Sequence, residues 1–192
     1  PVRHLTENDY EHVTFLIEYP DDLMEAKIAT MTRLLRSKFG DRVVAHRSGR
    51  WALDSRYWTL LEKYGYRVDC SVTPHISWKD YKGIPDGEGG SDYTRFRELP
   101  YFPNPQNLKE EGNSPILEVP VTCIPNAKSN AFWNFIRRKN CFNSRIVRRL
   151  MLNRPTEFIW IRPNGRNLSN MCRIIDETVA QGRECVEFML HS

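Results

Sequence analysis

Apolar side chains recur at helical spacing in three stretches of the chain, residues 22–39, 54–65 and 167–182. Apolar residues three or four positions apart lie on one face of a helix, so each stretch predicts an amphipathic helix. Asp22 and Asp54 are the predicted caps of the first two helices, and a glycine ends each of the three. The residues predicted to face inward are Met24, Ile28, Met31 and Leu35, then Trp58, Leu61 and Tyr64, and finally Met171, Ile174, Ile175 and Val179.

Short apolar runs alternate with these helices and predict strands. They read "RVVAH", "YRVDCSV", "ILEVPVTCI", "EFIWIRP" and "CVEFMLHS". Strands that alternate with helices are typical of a parallel sheet covered by helices, in which functional groups gather at the carboxyl ends of the strands. Polar residues lie at or near five such strand ends: Arg47, Asp69, Glu118, Arg162 and His191. Their convergence from distant parts of the chain predicts a candidate active site.

Two segments interrupt this alternation. Residues 73–114 are rich in proline, glycine, asparagine and aromatic residues. A long irregular segment in a compact domain is usually a functional lid or a disordered insert, and the aromatic residues favour an ordered surface. Residues 129–152 predict a helix with a basic segment at 137–149. We interpret the basic segment as a solvated helix face, with a site for an anionic glycan or a membrane phosphate as the alternative.

Composition narrows the class of protein. The chain has 192 residues, 40% of them hydrophobic, which predicts one domain spanning residues 1–192. A net charge of +4 is too small to indicate a nucleic-acid partner, and no RNA-binding motif accompanies the basic segment. No apolar run is long enough to cross a membrane and no signal-peptide pattern is visible, so a cytoplasmic location is predicted. The five cysteines form no C-x-x-C pair, which argues against a zinc knuckle.

Three pieces of the sequence resemble the polysaccharide deacetylases, the chitooligosaccharide deacetylase superfamily that includes carbohydrate esterase family 4. The stretch "AHRSGRWALDSRYWTLLEKYGYRVDCSVTP" resembles the family core "R-x-G-R-W-G … L-L-x-x-L-G-Y-x-x-D-S-S-V-T-P". "LEVPVT" resembles the family's Glu-x-Pro strand, and the stretch "WIRPNGRNLSNMCRIIDETVAQGRECVEFMLHS" resembles its last strand, helix and Leu-x-His ending. The pieces occur in the family's order and cover most of the chain outside the insert and the basic segment.

The resemblance implies an irregular (β/α) barrel, an α/β fold. It also implies an activity, the metal-dependent removal of acetyl groups from an N- or O-acetylated carbohydrate. A divalent ion, most commonly zinc, would lower the pKa of a bound water and polarise the acetyl carbonyl. A neighbouring carboxylate would act as the base, and a histidine on the last strand would protonate the leaving amine.

The resemblance assigns roles to particular residues. Arg47 matches the arginine that orients the family's carboxylate base, a task that suits a guanidinium fork. His191 in "MLHS" matches the general acid, since histidine titrates near neutral pH. Asp69, expected to be catalytic, and Ser71, expected to contact the substrate, match the Asp-x-Ser strand end that borders the site. Trp51 is expected to stack on a sugar ring.

Arg47 and Arg50 bracket Gly49, and two such neighbouring charges repel each other unless carboxylates hold them. We expect Arg47 to face the catalytic carboxylate. Arg50, a predicted substrate contact, is expected to turn towards Asp54 or Asp69.

The sequence departs from the family pattern at its front. The Thr-Phe-Asp-Asp strand and the metal-binding histidine pair are absent from residues 1–42, which precede the arginine motif. His4 and His12 are the metal candidates in this stretch, although their spacing matches neither family variant. We therefore interpret the chain as a domain truncated at its front, and short of the family's length at its end. Such a fragment is predicted to hold no metal tightly and to be inactive alone.

Two other functions fit the same residues. A relative that kept the carbohydrate-binding cleft and lost the metal would bind sugars without reacting with them. A glycoside hydrolase would use Asp69 and Glu118 as paired carboxylates, which requires about 5 to 9.5 Å between them.

Overall fold

The computed structural model describes most of the chain: residues 13–126, 128–132, 135 and 157–190. Contacts divide the chain into two compact units, Pro1–Pro120 and Val121–Ser192, so the single domain stays a prediction. Several predicted features lie outside the described residues: the basic segment 137–149, His4, His12 and His191. No helix in the described part of the chain combines the length and the hydropathy that crossing a bilayer requires.

In its described residues, the first unit contains two α-helices and five short strands. The helices are α1 (Asp21–Phe39) and α2 (Ser55–Lys63). The strands are β1 (Ala45–His46), β2 (Val68–Asp69), β3 (Pro103–Asn104), β4 (Asn107–Glu111) and β5 (Leu117–Glu118). Single turns of 3-10 helix lie at Leu16–Glu18, Gly40–Arg42 and Gly49–Trp51.

Strands β1, β2 and β5 form a parallel sheet in that order, in agreement with the alternation of strands and helices in the sequence. Ala45 pairs with Val68, which pairs with Leu117 on its other side. The next residue of each strand is polar, and these three residues also share one register position. The described strands form small sheets, and the irregular (β/α) barrel stays a prediction.

The core of the first unit is built largely from α1 and α2. Its buried members include Leu23, Met24, Ile28, Tyr57, Trp58, Leu61, Tyr66 and Ile116. Burial of a large apolar side chain stabilises a fold by about 1.5–3 kcal/mol, so these residues hold the helices against the sheet. The prediction for α2 is confirmed at Trp58 and Leu61, which are 1% and 0% exposed. Asp54 caps α2 as predicted, because its carboxylate accepts the Tyr57 N–H at 2.8 Å.

Two predictions for α1 are wrong. The cap position is Pro20 and not Asp22, and no side chain caps this helix. Met31 is 55% exposed, whereas Thr32 beside it is buried. The Thr32 hydroxyl lies 2.9 Å from the Tyr66 hydroxyl, so a hydrogen bond satisfies the buried polar group. Met24 and Ile28 are buried as predicted, so the inward face of α1 departs from the predicted one where Thr32 takes the place of Met31.

The insert 73–114 is ordered and largely irregular, and part of it forms a hairpin. Strands β3 and β4 pair antiparallel. Tyr101 exchanges two backbone hydrogen bonds with Glu118, at 3.1 and 2.9 Å. The insert therefore pairs through Tyr101 with β5, the edge strand of the parallel sheet, in an antiparallel bridge.

The second unit contains strands β6 (Cys123–Pro125) and β7 (Phe158–Trp160) and helix α3 (Leu168–Ala180) in its described residues. β6 pairs with β7 antiparallel, so the expected parallel pairing is wrong for these strands. The expected last strand is not formed over residues 185–190. In that segment Met189 donates a backbone hydrogen bond to Ile161 at 3.2 Å.

The predicted inward face of α3 is also partly wrong. Ile174 is 0% exposed, but Ile175 and Val179 are 45% and 72% exposed. Thr178 is buried instead, and its hydroxyl donates to the Ile174 carbonyl at 2.6 Å within the helix. A threonine that bonds its own backbone carries no unsatisfied group into the core, which is why it can replace an apolar residue there.

Candidate active site

Three polar residues end three neighbouring strands of the first unit. His46, Asp69 and Glu118 are the last residues of β1, β2 and β5, and they lie side by side in register. Parallel strands run in one direction, so their carboxyl ends meet at one edge of the sheet. Asp69 and Glu118 are 0% exposed, and the side chain of His46 is 13% exposed. We call His46, Asp69 and Glu118 the polar row. Its two carboxyl residues are fully buried, and only a small part of the His46 side chain reaches solvent.

Asp69 accepts three hydrogen bonds, one from the His46 imidazole and two from Ser71. Its Oδ1 lies 2.5 Å from His46 Nδ1, and it accepts the Ser71 hydroxyl at 2.9 Å. Its Oδ2 accepts the Ser71 backbone N–H at 2.9 Å. Because a carboxylate accepts hydrogen bonds, Nδ1 of His46 carries the proton. The other ring nitrogen, Nε2, lies 2.8 Å from the Tyr57 hydroxyl and in this tautomer accepts a hydrogen bond from it.

Glu118 is the second carboxyl of the row. Its Oε1 accepts the Val72 N–H at 3.0 Å, whereas no donor in the described residues reaches its buried Oε2. Burial raises the pKa of Glu118 well above its usual value, and the negative charge of Asp69 and a hydrogen bond to it act in the same direction. Both observations fit a Glu118 that keeps its proton in the folded protein. The pair then carries one negative charge, which is far less costly to bury than two.

The raised pKa predicts how the stability of the first unit depends on pH. The folded protein holds the Glu118 proton at pH values where the unfolded chain, with a pKa near 4.5, has released it. The stability that this group contributes is therefore complete below about pH 4.5, and it is lost as the pH rises through the folded pKa. Glu118→Gln keeps a donor for Asp69 and removes the titration, so the variant is expected to gain stability relative to wild type as the pH rises.

Urea unfolding at several pH values between 5 and 8 checks this expectation. Glu88→Gln, an exposed carboxyl of the same unit, is the matched control and should show a constant difference from wild type. A difference between Glu118→Gln and wild type that is independent of pH would mean that Glu118 is ionised in the folded protein.

A strained turn lies beside the row. Arg50 and Trp51 have φ values of 53° and 61°, in the left-handed region that residues other than glycine avoid. Two hydrogen bonds hold the turn from both sides. The Ser48 N–H donates to Ser71 Oγ at 2.8 Å, and the Tyr93 hydroxyl donates to the Trp51 carbonyl at 2.6 Å. The strain is thus maintained by residues that themselves contact the buried carboxylate or belong to the insert.

The structure places Arg47 away from Asp69. Its guanidinium lies over the Trp51 ring, 5.5 Å from the ring centroid, and the side chain is exposed. Successive side chains of a strand point to opposite faces, so His46, and not the residue after it, reaches across to Asp69. Arg50 pairs with neither Asp54 nor Asp69.

The other predicted site residues lie in different environments. Ser71, expected to contact substrate, is 0% exposed, and its hydroxyl donates a hydrogen bond to Asp69. Trp51 is half-buried with Arg47 over its ring, and its stacking on a sugar stays a prediction. His191 lies outside the described residues, and its role stays a prediction.

Sequence reasoning missed His46 and Tyr57, which complete the row. His46 precedes the arginine of the family motif, so its position at a strand end was visible in the sequence. The register that sets it opposite Asp69 was not visible. Tyr57 belongs to α2, and nothing in its spacing separates it from an ordinary core residue.

A separate cleft of about 720 Å³ lies between the insert and the start of α2. Its lining includes Leu53, Arg56, Asp92, Phe96 and Lys109, and none of the three row residues borders it. The cleft and the row are therefore separate features of the first unit.

The described residues do not fit a zinc site. No group of three or more His, Cys, Asp or Glu side chains among them is arranged to hold a metal ion. Both oxygens of Asp69 already accept hydrogen bonds from protein groups. His4, His12 and His191 are outside the described residues, so the divalent metal stays a prediction and no step below depends on it.

Comparison with known proteins shows no match to any family model, to any curated protein or to any solved structure.

Proposed function

We propose that this protein takes part in the hydrolytic removal of acetyl groups from an acetylated carbohydrate. The observation that supports the proposal best is the row of His46, Asp69 and Glu118 at the carboxyl edge of three parallel strands. The row is connected to the turn at residues 47–51, because Ser71 donates a hydrogen bond to Asp69 and accepts one from the Ser48 N–H. A buried charged network joined to an exposed, strained turn is an arrangement that proteins use at functional sites.

Hydrolysis needs a base that takes a proton from water and an acid that gives one to the leaving amine or alcohol. Asp69 is fully buried, so it does not meet a substrate in this conformation. We assign Asp69 to positioning, together with His46 and Glu118, because the network holds the turn in place. Arg47 and Trp51 then present a cation and an aromatic face to the sugar, and His191 is the proposed acid.

The glycoside hydrolase alternative is less well supported. Carboxyl groups that flank a glycosidic bond are about 5 to 9.5 Å apart and both face the substrate. Asp69 and Glu118 are both 0% exposed and end neighbouring strands in register. Neither carboxyl group therefore faces a substrate in this structure.

A non-catalytic sugar-binding protein is the second candidate. It is favoured by the fact that both ring nitrogens of His46 and both oxygens of Asp69 are already engaged within the protein. A network with no open position can support a binding surface without reacting. The exposed Arg47 and half-buried Trp51 would be that surface.

One experiment separates the three functions. The complete enzyme that the resemblance implies is incubated with acetylated chitooligosaccharides and acetylated xylan, with and without added Zn²⁺. Released acetate and new reducing ends are measured, and binding is followed by calorimetry. Acetate release supports deacetylation, new reducing ends support glycoside hydrolysis, and binding alone supports the non-catalytic candidate.

Under the proposed function, Arg47→Ala in the complete enzyme that the resemblance implies should lower kcat for acetate release by about 10²-fold or more, the scale of a lost positioning group. The same substitution at Arg33, an exposed residue of α1, is the matched control and should leave turnover unchanged. Turnover close to that of wild type in Arg47→Ala would place Arg47 outside the reaction.

A further inference from the structure

We infer that the turn at residues 47–51 binds an anionic group of its ligand, a carboxylate or a sulfate, so that the substrate is an acidic carbohydrate. The carbohydrate part of this inference rests on the proposed function. The anionic part rests on the turn itself, through the charge, conformation and contacts of Arg47 and Arg50.

Two guanidinium groups lie in this turn without an acidic partner. Arg47 and Arg50 are both exposed, and neither forms an ion pair or a hydrogen bond with any residue that the structure describes. The carboxylates expected to neutralise Arg50 are occupied. Asp54 caps α2 and pairs with Arg56 at 3.0 Å, and Asp69 is enclosed by His46 and Ser71.

The backbone conformation of this turn is unusual for arginine. Arg50 lies in the left-handed region, where glycine or asparagine is the usual choice and arginine gains nothing for the fold. The turn is nevertheless braced by Tyr93 at the Trp51 carbonyl and by Ser71 at the Ser48 N–H. An arginine at a position that disfavours it, next to a second uncompensated arginine, indicates that the charge serves a ligand.

The geometry of Arg47 suits an oxyanion that can offer two oxygens to one guanidinium. Its guanidinium lies over the indole of Trp51, which holds the group in one orientation. A stacked guanidinium keeps its N–H edge available for a bidentate contact with two oxygens of an anion. The exposed part of the Trp51 ring adds an apolar face beside this edge. A sugar ring that carries a carboxylate or sulfate matches the combination, whereas a neutral sugar would leave both charges without a partner.

Binding of unacetylated oligosaccharides tests the inference without requiring turnover. The probes are an oligogalacturonate, a sulfated oligosaccharide and a neutral chitooligosaccharide, titrated calorimetrically at two salt concentrations. We expect the anionic probes to bind at least tenfold more tightly than the neutral one, with an affinity that falls as salt rises. The affinities of the oligogalacturonate and the sulfated oligosaccharide, compared with each other, show whether a carboxylate or a sulfate is preferred.

The variants are chosen so that folding is preserved. Arg50→Asn removes the charge but tolerates the left-handed conformation, and Arg50→Lys keeps the charge. Arg50→Asn and Arg47→Gln should each weaken binding of the anionic probe by about tenfold or more, Arg50→Lys by less, and Arg33→Gln not at all. Thermal unfolding of each variant checks that the fold is intact.

Equal affinity for anionic and neutral probes, no binding of any probe, or full affinity in Arg50→Asn and Arg47→Gln would overturn the inference. Anion-dependent binding without acetate release from acetylated uronates would leave the inference in place and remove the proposed function. Acetate release from neutral sugars, with no preference for anionic probes in binding, would support the proposed function and overturn the inference.

Discussion

Asp69→Ala is expected to lower the free energy of unfolding of the first unit by about 3–5 kcal/mol, the scale of breaking a buried ionic network from one side. The substitution removes the acceptor of His46 Nδ1–H and of both Ser71 donors. It also leaves the proton of Glu118 without its acceptor. Buried donors that lose their partner each cost about 1–3 kcal/mol, so the losses add to a large fraction of the stability of a small unit.

Urea unfolding followed by tryptophan fluorescence measures this effect. Asp41→Ala, an exposed carboxylate of the same unit, is the matched control and should cost less than about 0.5 kcal/mol. Asp69→Asn keeps the shape of the side chain and one oxygen acceptor, so it should fall between the two. A cost for Asp69→Ala similar to that for Asp41→Ala would show that solvent reaches the row and satisfies its donors.

His191→Ala in the complete enzyme that the resemblance implies is expected to lower kcat for acetate release by about 10²- to 10⁴-fold, the usual contribution of a general acid. The role follows from the resemblance of "MLHS" to the Leu-x-His ending of the polysaccharide deacetylases. A departing sugar amine needs a proton, so loss of the acid should slow this step most. An activated ester leaves without a proton, and its hydrolysis should lose much less.

Rates on an acetamide-type sugar and on an activated acetyl ester, measured across pH, check the role of His191. The alkaline limb of the acetamide profile should vanish in the variant, because that limb reports loss of the acid's proton in wild type. Arg183→Ala in the same unit serves as the control and should keep both rates and both limbs. Equal losses on both substrates with the limb unchanged would show that His191 is a structural residue.

The local patterns of the sequence predicted several elements well. α2 begins after Asp54 as expected, because an aspartate that accepts a backbone N–H of the first turn acts within three residues. The buried positions of Trp58 and Leu61 follow from spacing on a single helix. β1 ends at His46 as expected, whereas β2 and β5 end at Asp69 and Glu118, before the ends of the apolar runs that predicted them.

Other features depended on neighbours that are far away in the sequence. Apolar spacing placed Met31, Ile175 and Val179 in the core, yet these side chains are exposed. Which side of a helix is covered depends on what packs against it, and Thr32 found a hydrogen-bond partner in Tyr66. Spacing along one helix contains no information about such a partner.

The sequence alone determined that polar residues end the strands near Arg47, Asp69 and Glu118, because strand ends follow from local composition. Only the tertiary structure decided which of them meet. Strand register brings His46 to Asp69 and Asp69 to Glu118, and it leaves Arg47 on Trp51. A shift of one residue in register would reverse these partners, since alternate side chains of a strand face opposite sides. Burial then decided the charge state of the pair, because removing two carboxyl groups from water favours a shared proton over two charges.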